Sequence, residues 1–163
     1  MHIPLSRLSI ILATLSCLLT ACSGLKTYRS NYERNLLVTT NTEARGLFSG
    51  VDAALDIYSV QDDCARQYEG TVDLGNSIVE VGIPTEQPAV LVFRFESSAF
   101  LSNSHSSMGY DVMLYPLANH VYDVDVSYKN SIYNVEVQER PRGAADGEAM
   151  IIAMQDQPCS ANL

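Results

Sequence analysis

From Val51 onward apolar residues fall at every second position, the spacing of strands that bury one face. Val51, Ala53, Leu55 and Ile57 share one parity, with Asp52 and Asp56 on the other, although this Ala-rich stretch also fits a helix. A shorter strand is expected over 68–74, a turn at Gly75-Asn76, and another strand over 78–83. Pro84 and Pro88 then remove backbone donors on both sides of residues 85–87, which stops the flanking strands and predicts a hairpin loop or an arch between sheets.

Residues 89–96 are the most apolar of the chain after its first two dozen, apolar on both faces at first and alternating later. They read as a central strand with Phe93 and Phe95 as core anchors, leaving the core near Arg94. Residues 97–109 are Ser-rich and read as a long polar loop pinned by Phe100 and Leu101. The alternation returns in Tyr110, Val112 and Leu114, turns at residues 116–119, and runs on through Tyr122, Val124, Val126 and Tyr128. Lys129-Asn130-Ser131 makes a turn in which Asn130 accepts positive φ, and Tyr133, Val135 and Val137 repeat the inward parity. A one-residue slip of either strand would bury Asp123 and Asp125 or Glu136, so the register of this hairpin is specified. A loop over 141–147 precedes a last apolar strand over 148–154. Seven or eight short strands predict an all-β, small antiparallel β-sandwich of Ig-like or transthyretin-like kind, with a small closed β-barrel as the alternative.

The first two dozen residues follow a different pattern. A short basic stretch to Arg7 leads into about a dozen mostly apolar residues, too few for a membrane span, which needs about 20. The run closes on Leu19-Thr20-Ala21-Cys22. This resembles the Leu-x-Ala-Cys box of bacterial lipoproteins, and the resemblance covers only this region. It implies a signal peptide over 1–21, removal at Cys22, and modification of Cys22 by palmitate-type acyl chains. Several such chains hold a protein on a bilayer nearly permanently, at about 0.8 kcal/mol per buried methylene. Ser23, a residue other than Asp after the Cys, implies sorting to the outer membrane, facing the periplasm. Residues 22–50 mix Lys26, Arg29, Arg34 and Arg45 with Ser, Thr and Asn and read as the lipidated N-terminus and a flexible tether of roughly 30 Å. The run 36–40 offers at most an edge strand, and the sandwich domain is expected over 51–163.

The lipobox reading changes the cysteine count. Of four cysteines, Cys17 leaves with the leader and Cys22 carries lipid, so Cys64 and Cys159 remain for each other. In an oxidising compartment a lone pair is most simply a disulfide. It would close a loop of roughly 95 residues, for which the chain-entropy model gives about 4.7 kcal/mol.

Charge narrows the partners. The chain has 10 Lys+Arg against 19 Asp+Glu, a net charge of −9, and the leader takes one further cation, Arg7. Nucleic acid, which demands a positive patch, is therefore excluded as an expected partner. Candidate chemistry is thin. His105 beside Ser106 has no nucleophile elbow around it, and His120 lies at opposite strand parity to Asp123 and Asp125. Asp123-x-Asp125 lacks the oxygen ligands and Gly of a calcium loop. Met150 and Met154 read as core rather than soft-metal ligands. Tyr122, Tyr128 and Tyr133 read as core walls, and Tyr110 and Tyr115 as candidates for a partner surface. No cofactor, metal site or catalytic residue is expected.

The expected function is that of a non-enzymatic accessory or protein-binding lipoprotein of the bacterial envelope, held to the membrane by its lipid and engaging an envelope protein. The sandwich lipoprotein of type VI secretion systems resembles the chain in anchor, size and expected fold, with no motif shared beyond the lipobox. An acidic inhibitor of a cationic periplasmic enzyme such as lysozyme is the second reading, and its inhibitor-loop motif is absent.

Overall fold

A computed structural model describes residues 25–42, 49–75, 77–99, 104–130, 132–144 and 150–151. Nine strands are formed there: β1 (Leu36–Thr42), β2 (Ser49–Val60), β3 (Arg66–Asp73), β4 (Ile78–Val81), β5 (Ala89–Ala99), β6 (Ser104–Leu114), β7 (His120–Lys129), β8 (Ile132–Pro141) and β9 (Met150–Ile151). They make two sheets, one of four strands in the order β3-β2-β5-β6 and one of five in the order β4-β1-β7-β8-β9. The described residues contain no helix and no closed barrel, so the sandwich stands and the barrel alternative falls. The helical reading of 51–58 falls too, because β2 pairs antiparallel with both β3 and β5 along its length.

The two inner faces meet in one core. Leu55, Ile57, Leu91, Phe93 and Phe95 from the four-stranded sheet pack with Leu36, Val38, Tyr122, Val124 and Val126 from the other, all essentially inaccessible to water. Phe95 meets Tyr133 across the sheets at 4.7 Å between ring centres, and Tyr133 stacks on Tyr128 at 4.5 Å. The β7–β8 hairpin has the expected register, with Tyr128 opposite Tyr133 and Lys129 opposite Ile132, and Asn130 takes φ 52°. Residues 82–88 carry the chain from β4 in one sheet to β5 in the other, so the proline-bracketed segment is the arch between sheets.

Two expectations are corrected. Within the tether expected over 22–50, residues 25–42 belong to the folded body: β1 is an interior strand, antiparallel to β4 and parallel to β7, with Leu36, Val38, Thr40 and Thr42 turned inward and buried. The reason is burial, since half of this run is apolar or small enough to fill the core face between β4 and β7. The domain therefore begins at or before residue 25 rather than at 51. The polar loop over 97–109 is also mostly strand. β5 and β6 pair from Ala89–Leu114 out to Ala99–Ser104, because a ladder needs only backbone groups, and Ser97 and Ser106 hydrogen-bond each other at 2.8 Å. Phe100 and Leu101 lie outside the described residues, as do the leader, the lipobox with Cys22, Met154 and Cys159.

Candidate functional site

The segment ahead of β1, residues 25–34, is built into the body and is called the strap below. Thr27 bridges Thr71 of β3 in parallel, with Thr71 N–H donating to the Lys26 carbonyl at 2.7 Å and Tyr28 N–H to the Thr71 carbonyl at 2.9 Å. The Tyr28 hydroxyl donates to the Gly82 carbonyl at 2.9 Å, just past β4. Asn35, buried, closes the strap by bonding both the N–H and the carbonyl of Ile83 at 2.8 and 3.0 Å, as another strand's peptide would. β3 and β4 are edge strands of different sheets, so the strap seals the open side of the sandwich between them.

Two glycines make room for it. A Cβ on Gly70, whose φ is +149°, would stand 2.7 Å from the Tyr28 backbone, and one on Gly82 would stand 2.7 Å from Ser30 Oγ and closer still to the Tyr32 carbonyl. No side chain fits at either place while the strap is seated.

Between the strap and the end of β2 lies a groove of about 1050 Å³, walled by Lys26, Tyr28, Arg29 and Tyr32 on one side and by Tyr58 and Gln61 on the other. Burial raises the pKa of the Tyr28 and Tyr58 phenols above the usual value, helped at Tyr58 by the charge of Asp56, so both stay neutral hydrogen-bonding groups. Ser59 Oγ donates to Glu69 Oε1 at 2.8 Å, and Glu69 stands 4.0 Å from Lys26 Nζ. The groove can hold a polar group by hydrogen bonds and mixed charge.

On the outer face of the four-stranded sheet, Asp56 is buried beneath Arg94, which donates from Nε at 2.5 Å and Nη2 at 3.3 Å, and Thr71 donates its hydroxyl to the same carboxylate. Sequence parity put Asp56 outside the core correctly, but Arg94 and Thr71 then close over it. The Asp56 hydrogen bond raises the already high Arg94 pKa. Arg94 also donates from Nη1 to Glu96 Oε1 at 3.0 Å, and the cluster is a structural lock.

At the end of the sandwich where β6 leads into β7, Tyr122 accepts the Leu117 N–H at 2.9 Å and donates to Glu139 Oε1 at 3.2 Å. Burial, and next the neighbouring carboxylates, push its phenol up to about 12. His120 turns Nδ1 to the Ala118 carbonyl at 3.0 Å and Nε2 toward Glu139 at 3.9 Å, whereas Asp123 bonds Arg140 Nε at 2.6 Å. His120 and the two aspartates are thus not brought together, and no three metal-ligating side chains converge among the described residues. His105 occupies β6 opposite Ser98 rather than a loop; its side chain, and that of Met150 in β9, lie outside the described residues.

Tyr110 and Tyr115, the expected partner-surface residues, stand 39% and 42% exposed, and the sequence reading missed Met108 and Leu117 at 40% each. Met108 and Tyr110 sit opposite Phe95 and Phe93 in register, so they are on the core-facing side of β6 and yet open to solvent. β6 is the edge of its sheet among the described residues, on the side away from the strap. Tyr115 continues this strip, its hydroxyl fixed to the Glu86 carbonyl at 2.7 Å. Cys64, at φ 63° in the β2–β3 turn, is disulfide-bonded, and its partner lies outside the described residues.

Neither the family models nor the curated proteins contain a match to this chain.

Proposed function

We propose that the chain is a lipid-anchored lipoprotein of the bacterial envelope, facing the periplasm from the outer membrane, that works as a non-enzymatic protein-binding module. The observation that carries the reading is Leu19-Thr20-Ala21-Cys22, placed three residues ahead of a strapped β-sandwich. The binding role is supported by the Met108, Tyr110, Tyr115 and Leu117 strip, because exposed aromatic and Met side chains along a sheet edge are the usual anchors of a protein contact. In an oxidising periplasm Cys64 pairs with Cys159, fastening the C-terminal end to the β2–β3 turn.

The anchor and the binding role are tested together. Acyl mass on Cys22 and flotation with membranes are expected for the native chain, and their loss for Cys22→Ser. A photo-crosslinking residue at Tyr110 is expected to capture an envelope protein that the same probe at exposed Asp62 does not. A native chain with an unmodified Cys22 that fractionates as soluble would refute the anchor, and equal capture from both positions would refute the surface.

A further inference from the structure

We propose that the strap edge of the sandwich is a membrane-apposed surface that rests on anionic phospholipid headgroups and fixes the orientation of the domain. The inference rests on the lipid-anchor reading and goes beyond it, because the anchor alone would let a tethered domain tumble.

The constraint is chain length. Lys26 is held in the β3 ladder, so only four peptide steps separate Cys22 from the folded body, a reach of at most about 14 Å. A domain of this size is about 35 Å across. A leash that short cannot pass around the body. The edge that carries Leu25 and Lys26 must face the bilayer, and the β6 edge, on the opposite side, must face away.

Charge favours the same pose. The strap presents Lys26, Arg29 and Arg34, all exposed, and Arg29 has no partner among the described residues. Lys26 and Arg34 are matched by Glu69 and Glu80, and Glu33 by Arg142, which leaves Arg29 over on the strap and Asp62 across the groove, so this edge is close to neutral. Asp52, Asp73 and Glu96 line a pocket on the outer face of the four-stranded sheet that Leu25 and Thr27 also border, with Glu96 paired to Arg94 at 3.0 Å, while Asp125 and Glu136 stand directly opposed on the outer face of the other sheet. An anionic surface repels the face that carries Asp125 and Glu136 more than it repels the near-neutral strap edge. Exposed Leu25, at the point where the chain enters the body, adds an apolar contact at the same place. The groove between the strap and β2 then opens beside the headgroups, where its neutral phenols and mixed charges suit polar headgroup atoms.

The test uses the full lipidated chain in vesicles of phosphatidylethanolamine and phosphatidylglycerol. A fluorescent amino acid is placed at exposed Asn31 on the strap or exposed Ser107 on β6, and quenching by headgroup-labelled lipid is read. Quenching at Asn31 is expected to exceed that at Ser107 several-fold. A linker of about 20 Gly/Ser residues inserted after Gly24 adds roughly 25 Å of reach and should bring the two close together. Arg29→Glu should lower quenching at Asn31 without releasing the protein. Equal quenching at the two positions in a chain that carries acyl mass and floats overturns the orientation alone. A chain that carries no acyl mass and does not float overturns the anchor reading and the orientation with it.

Discussion

Gly82 offers the sharpest check on the strap. A methyl group there meets the Tyr32 carbonyl and Ser30 Oγ, backbone and short side chain that have no flexible end to swing aside. Gly82→Ala must therefore either shift the arch or unseat the strap. Unseating forfeits the Tyr28 hydroxyl bond to Gly82 and, as the segment peels, the two backbone bonds to Thr71, each worth about 1 kcal/mol net. It also exposes the buried half of the Tyr28 ring, while the freed backbone recovers part of the loss as entropy. The expected net destabilisation is about 2–3 kcal/mol, or roughly 6–12 °C in Tm for a domain of this size. Gly109→Ala is the control. Its methyl group would meet only Val92 Cγ1 at 3.8 Å, an ordinary contact, so stability should hold or rise by about 0.5 kcal/mol through the unfolded chain. Thermal unfolding with hydrogen exchange at the Tyr28 and Thr71 amides reads both effects. If Gly82→Ala matches Gly109→Ala in Tm and leaves those amides protected, the strap is not seated as described and the membrane orientation loses its basis.

Other outcomes follow from single groups. Tyr122→Phe strips the acceptor from the Leu117 N–H and should cost about 1–3 kcal/mol in denaturant unfolding. The raised Tyr122 pKa has a definite sign: the phenol near 12 in the folded state against 10 unfolded contributes stability that is complete below pH 10 and fades as pH climbs through 12. The wild-type chain should therefore lose stability more steeply than Tyr122→Phe across that window. Arg94→Met leaves the Asp56 carboxylate buried and half-partnered; the cost should be about 2 kcal/mol, less than for a fully buried pair because Arg94 is 27% exposed. Thr40→Val should stabilise by about 1 kcal/mol in the same assay, since the buried Thr40 hydroxyl has no hydrogen-bond partner among the described residues.

What could be read from the sequence divides along a physical line. The β7–β8 hairpin was legible to the register because its inward residues are apolar without exception from Tyr122 to Val126 while Asp123 and Asp125 mark the other face. β1 was not, because its period is carried by Leu36, Val38, Thr40 and Thr42, and two threonines on the core face look like a polar linker. Asn35 deepened the disguise: a buried side chain that imitates a peptide reads as a loop residue. The β5–β6 extension was hidden for a related reason, since serines at Ser97 and Ser106 say nothing about a ladder made of backbone. The strap left one faint signal, glycine beside or inside a strand at Gly70 and Gly82, which marks close backbone approach. At the candidate surface Tyr110 and Tyr115 were legible as tyrosines beyond the need of the core, but Met108 shares the parity of core residues, and its exposure shows only in the fold.

The parallel pairing of β1 with β7 has a kinetic side. Leu36 meets Tyr122 across a stretch of chain that includes the entire four-stranded sheet. That sheet can assemble from neighbouring hairpins, but the five-stranded one has no centre until β1 closes on a strand made far later. Loops of this size close slowly and all-β chains rich in distant contacts fold on the millisecond-to-second scale. During that wait β1 holds one Leu- and Val-bearing edge open, with only β4 available to pair its other side. For this chain the vulnerable species in folding is a half-built sandwich in which β1 has not yet met β7.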